Sequence, residues 1–101
     1  MSIKKQYLKS KPLCKVTFSL PKEATNSAKK VTVVGEFNDW NEKALPMKKL
    51  KDGSFKVTQD LSVGQEYQFK YLLDGKVWEN DSSADKYVSN EFTTENSVIV
   101  L

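Results

Sequence analysis

Apolar residues return at every second position in four stretches of this chain, and nowhere do they settle into a sustained helical stripe. That period predicts strands, each burying one face. In 14–20 the inward set is Cys14, Val16, Phe18 and Leu20; in 31–37 it is Val31, Val33 and Phe37; in 55–61 it is Phe55, Val57 and Leu61. The stretch 67–73 puts Tyr67, Phe69, Tyr71 and Leu73 on one face and Gln68, Lys70 and Leu72 on the other. Lys70 is therefore expected to face away from the core.

Turn signals at Asn38-Asp39, Asp52-Gly53, Val63-Gly64 and Asp74-Gly75 separate these runs at intervals suited to a small antiparallel sandwich. The expectation is an all-β, immunoglobulin-like antiparallel β-sandwich, with residues 1–101 forming a single domain. At 101 residues the chain can hold one core without metal or disulfide staples. Residues 21–30 read as a polar connection with one helical turn, and 79–96 as a long irregular segment. The final "NSVIVL" is apolar on both faces, which suits a strand covered on both sides or paired near the N-terminal lysines. Residues 1–10 read as a flexible basic arm or as an edge strand whose lysines discourage edge-to-edge association.

Composition removes several classes of function. The chain has no histidine and one cysteine, so neither a metal site nor an intramolecular disulfide is expected, and no cofactor. Cys14 shares its parity with Val16 and Phe18 and reads as a buried structural thiol. Lysines interrupt the N-terminal stretch where a signal peptide needs an apolar run, and no run is long enough to span a membrane. A cytoplasmic, monomeric protein without membrane contact is the expectation.

The net charge of +3 divides unevenly: residues 1–30 hold eight lysines against Glu23, while 31–101 hold eight lysines against twelve acids. The basic front end is the candidate contact for an unidentified protein partner. Every basic residue is lysine, so the bidentate fork that reads guanine edges is missing. Both tryptophans fall in the acidic portion. A single-stranded nucleic-acid binder, the superficial alternative for a small basic β domain with exposed aromatics, is disfavoured on both counts.

Catalysis would have to rest on carboxylate pairs, and Asp74, Asp81 and Asp85 are the nearest candidates. Asp74 is better explained as a hairpin-turn residue, and Asp81 and Asp85 as solvated loop acids. No enzymatic activity is expected.

Trp40 and Trp78 each follow a polar turn signal and so point outward. A pyranose presents C–H groups on its face and hydroxyls on its rim, which suits an indole beside amides, hydroxyls and an ammonium. Lys70, Phe92, Thr93, Thr94 and Asn96 supply that mixture. Two stacking contacts of about 1 kcal/mol each beyond burial, with a few hydrogen bonds, correspond to micromolar to millimolar affinity. Either tryptophan alone could equally be a partly buried cap over a sandwich end.

The run "VTVVGEFNDWN", then "PMKKLKDGSFKVTQDLSVGQEYQFKYLLDGKVWENDSSADKY" and the ending "NSVIVL", resembles the family 48 carbohydrate-binding modules. These include the glycogen-binding domain of the AMP-activated protein kinase β subunit and the early-set domains of isoamylases and branching enzymes. The resemblance covers about residues 28–101. It implies an immunoglobulin-like sandwich that binds an α-1,4-glucan such as glycogen, starch or a maltooligosaccharide. Carried over by position, it implies that Trp40, closing the "GxFNxW" motif, stacks on sugar, that Lys70 bonds sugar hydroxyls, and that Trp78 is the second platform. Phe92, Thr94 and Asn96 fall at the spacing of the leucine, threonine and asparagine of the kinase-type late loop.

Two departures stand out. The turn "DGKVW" is one residue longer than the kinase-type "DGQW", which puts the angle of Trp78 in question, and Phe92 replaces the leucine. Some enzyme-attached members have lost binding residues and serve as docking surfaces, so a docking domain with a vestigial sugar site is the alternative. Retention of Trp40, Lys70 and Trp78 argues against it.

Overall fold

A computed structural model describes residues 1–91 and 94–101. Among the described residues nine strands form in chain order: β1 (Ser2–Tyr7), β2 (Leu13–Leu20), β3 (Val31–Gly35), β4 (Lys48–Lys49), β5 (Phe55–Ser62), β6 (Glu66–Leu73), β7 (Val77–Glu79), β8 (Lys86–Ser89) and β9 (Glu95–Val100). One sheet has the order β1-β2-β5-β4, the other β3-β6-β9-β8 with β7 also on β6, and all pairings are antiparallel. The two sheets make the immunoglobulin-like sandwich that the alternation predicts.

The core lies where the parity puts it. Cys14, Val16, Phe18 and Leu20 from β2 meet Val31, Val33, Phe69, Tyr71, Leu73 and Ile99 from the other sheet. Phe18 packs edge-on against Phe69 at 5.3 Å between ring centroids, and Phe69 against Tyr71 at 5.7 Å. Edge-to-face contact of this kind adds to the burial of the rings. The polar connection 21–30 contains the expected short helical turn, Lys22–Thr25.

The late segment departs from expectation: it holds a strand. β8 pairs with β9 from Lys86↔Val98 to Ser89↔Glu95. Its four residues are too short an alternation to stand out, and β9 supplies the hydrogen-bonding partner that local sequence cannot show.

Ser2–Tyr7 lies along β2 as an edge strand, and Lys5 reaches across to the other sheet. Its ammonium bonds Asp85 Oδ2 at 2.7 Å and the Val100 carbonyl at 3.0 Å, while the Val100 N–H donates to the same carboxylate at 2.7 Å. Asp85 is thus an ion-paired clamp between the first and last strands, not a solvated loop acid. Burial opposes its ionisation, but the Lys5 bond, the Val100 N–H and the Lys5 charge outweigh that and hold the carboxyl below the ordinary 3.8. A depressed folded pKa gives stability that is present above 3.8 and lost as pH falls through the folded value. Acid titrations of stability should therefore fall less steeply below pH 4 in Lys5→Met than in the unmodified protein.

Asp81 also departs from the solvated reading. It is 0% exposed, and its groups are fully engaged. The Tyr71 hydroxyl donates to Oδ2 at 2.5 Å and the Ser83 N–H to Oδ1 at 2.7 Å; the Asp81 N–H donates to Ser97 Oγ at 2.9 Å, and the Tyr87 hydroxyl to the Asp81 carbonyl at 2.5 Å. One donor on each oxygen, the Tyr71 hydroxyl and the Ser83 N–H, offsets part of the cost of burying this carboxyl group. Burial above all, then the Asp81 charge and hydrogen bond, push the Tyr71 phenol well above its usual 10.0.

Candidate functional site

The outer face of the β3-β6-β9-β8 sheet carries the residues of interest. Directly opposed residues share a face, and the register pairs Lys70 with Val34, Leu72 with Trp78, and Gln68 with Val98. Gln68, Lys70, Leu72, Trp78 and Val98 therefore lie on one surface, with Asn96 two residues along β9 from Val98.

The "GEFNDW" run folds so that one ring goes in and the other out. At Gly35 an added Cβ would sit 2.6 Å from the Gln68 carbonyl oxygen and 2.7 Å from Phe69 Cβ, so only glycine lets β3 run this close to β6. Phe37 then turns inward, 6.0 Å from Phe18 and 6.0 Å from Tyr67. Asn38 braces the corner: its Oδ1 accepts the Gly35 N–H at 3.1 Å and its Nδ2 donates to the Val33 carbonyl at 3.0 Å. Asp39 and Trp40 both adopt left-handed backbone, φ 54° and 57°, and the Trp40 N–H returns to the Gly35 carbonyl at 2.8 Å. The reversal leaves the indole outside the core.

Trp78 reaches the same surface by a different device. Asp74 (φ 51°) and Gly75 (φ 67°) are both left-handed, and the Lys76 N–H donates to the Leu73 carbonyl at 2.9 Å. Three residues, Asp74 to Lys76, separate β6 from β7, and Trp78 falls opposite Leu72. It lies on strand β7. The Asp74 carboxylate accepts the N–H groups of both Lys29 and Lys30 at 2.9 Å, tying the turn to the entry of β3. The Lys30 bond foremost holds this carboxyl below 3.8, against a smaller effect of burial.

Trp40 is 38% exposed and Trp78 42%. Both line a groove of about 930 Å³ with Lys70, Thr94 and Asn96, within the size range of small-ligand sites. The sequence-predicted residues among those described thus meet on one surface. Phe92, with Thr93, lies outside the described residues. The Lys70 ammonium donates to the Glu95 carbonyl at 3.1 Å, which occupies one of its three donors.

Asn96 is buried, and both ends of its amide are engaged. Its Nδ2 donates to Gln68 Oε1 and its Oδ1 accepts from Asn90 Nδ2, each at 3.0 Å. Asn90 also donates to Thr94 Oγ1 at 2.8 Å and accepts the Thr94 hydroxyl at 3.1 Å. Gln68, Asn96, Asn90 and Thr94 form a connected polar floor along one side of the groove.

Gln68, Asn90 and the acids Glu36, Glu42 and Glu91 also line the groove and were not singled out from sequence. Gln68 had a signal, since it alternates with Lys70. Glu36 had none: its Oε1 accepts the Gln68 N–H at 2.6 Å, a contact set by how the corner after β3 meets β6.

The family described as the glycogen recognition site of AMP-activated protein kinase matches residues 15–101. No curated protein matches the chain.

Proposed function

We propose, from the premise that this chain belongs to the family of the glycogen recognition site of AMP-activated protein kinase, that it binds α-1,4-glucan without catalysing a reaction. The observation that carries this reading is the gathering of two half-exposed indoles and a lysine ammonium in one groove. Each indole covers the C–H face of a glucose unit. The Lys70 ammonium, Thr94 and Gln68 meet the hydroxyl rim, and Asn96 holds Gln68 and Asn90 in place for that task. The engagement of Asp74, Asp81 and Asp85 by other groups of the fold supports a non-catalytic role.

Calorimetric titration with maltoheptaose tests the reading. The expected result is saturable binding with Kd between about 10 μM and 1 mM. Because the ligand is neutral, raising the salt from 50 to 500 mM should change Kd less than about twofold, whereas an oligonucleotide complex would weaken by orders of magnitude. Absence of any response at millimolar maltoheptaose overturns it.

A further inference from the structure

β6 changes partners along the edge that borders the groove. Its first half pairs with β9, from Glu66↔Val100 to Phe69↔Ser97, and its last three residues pair with β7, from Tyr71↔Glu79 to Leu73↔Val77. Lys70 falls between the two ladders, so a seam between β7 and β9 opens beside it. Side chains close that seam. Asn80 Nδ2 donates to the Glu95 carbonyl at 3.0 Å, and Lys70 Nζ shares that carbonyl at 3.1 Å. Asn80 Oδ1 accepts the Ser97 hydroxyl at 2.8 Å, and Ser97 Oγ accepts the Asp81 N–H. Ser97 is fully buried, and Asn80 lies two residues beyond Trp78.

We propose that Asn80 and Ser97 are positioning residues of the groove: Ser97 orients the Asn80 amide, which holds the end of β7 against β9 and so fixes the Lys70 ammonium relative to the Trp78 indole. A carbonyl oxygen has two lone pairs, and that of Glu95 gives one to each of Lys70 and Asn80. The amide cannot flip without setting its NH2 against the hydroxyl proton and its oxygen against the Glu95 carbonyl. Loss of Asn80 removes the side-chain link from the end of β7 to the Glu95 carbonyl, while Asp81, next in the chain, stays tied to Tyr71, Ser97 and Tyr87. The proposal rests on the glucan reading for its ligand, while the positioning itself belongs to the free protein.

The test is a double-mutant cycle with maltoheptaose, measured well below the melting temperature of every variant. Asn80→Ala is expected to weaken binding about five- to tenfold and Ser97→Ala about two- to fivefold, the range of one or two lost hydrogen bonds. In a Lys70→Ala background, Asn80→Ala should cost less than about twofold; full additivity overturns the proposal. Val57→Ala, in the opposite sheet, lowers stability without touching the seam and should leave affinity unchanged; an equal loss there overturns it as well.

A second readout needs no sugar. Nitrogen-15 spectra of the free protein should show a slowly exchanging Lys70 ammonium that is lost in Asn80→Ala and kept in Val57→Ala. Should the unmodified protein fail to bind maltoheptaose, the glucan reading falls, and an ammonium signal unchanged by Asn80→Ala would separately overturn the positioning.

Discussion

Trp40→Ala combined with Trp78→Ala should weaken glucan binding by at least about 30-fold while leaving the fold intact. Each indole offers stacking of about 0.5–1.5 kcal/mol together with the burial of sugar C–H surface, so about 1–2 kcal/mol is lost per ring. The pair therefore weakens binding by roughly 30- to 900-fold, which moves a Kd of about 10 μM to at least about 0.3 mM and one of about 1 mM beyond detection. Either single variant should lose about 5- to 30-fold. The fold survives because neither indole belongs to the hydrophobic core. Trp40 sits at φ 57°, a conformation alanine tolerates no worse than tryptophan. Calorimetry alongside thermal melts checks both halves; undiminished affinity in the double variant would move the site elsewhere.

Asp81→Ala should give the largest loss of stability from a single polar substitution. It strands the buried Tyr71 hydroxyl and the Ser83 N–H, which now donate to the carboxylate. A charge-assisted bond of about 1.5–3 kcal/mol and an ordinary one of about 1 kcal/mol put the cost near 3 kcal/mol, a large fraction of a typical domain's stability. Denaturant melts measure it. Tyr71→Phe should cost less and add little in the Asp81→Ala background, because both remove the same contact. The pH dependence has a definite sign. A phenol whose folded pKa is raised contributes stability that is full below pH 10.0 and is lost as pH rises towards the folded value. Alkaline destabilisation should therefore be shallower in Tyr71→Phe.

These two predictions draw on unequal amounts of sequence information. The outward side of Lys70 and the inward sets of β2, β3, β5 and β6 were legible because period-two parity is local and one register serves a whole strand. Trp40 was legible as outward from its motif, although the reason, the Asn38 brace and two left-handed residues, appears only in the structure. Asp81 was not legible. An aspartate in a Ser-rich stretch looks solvated, and what buries it is a tyrosine ten residues upstream and a serine sixteen downstream. Asp85 was missed for the same reason, its partner Lys5 lying eighty residues away. β8 was hidden because the ladder that stabilises it belongs to β9. For Asn96 the amide's partners, Gln68 and Asn90, were not legible, since they come from a neighbouring strand and from the turn after β8.

The two edges of β6 have a kinetic consequence. With β3 pairing residues 69–73 along one side and β9 then β7 along the other, each residue of the strand beneath the groove has a ladder partner on at least one side, so on the glucan reading a sugar would meet a surface that is already formed. Association would then proceed without a slow rearrangement, and the weak affinity expected for maltoheptaose would reside in rapid departure. On a free oligosaccharide that means brief visits. On a branched polymer, where many equivalent chain segments crowd the same volume, each departure is followed by recapture on a neighbouring segment. The protein would remain on the particle far longer than on any one of its chains, ranging over the surface while it stays.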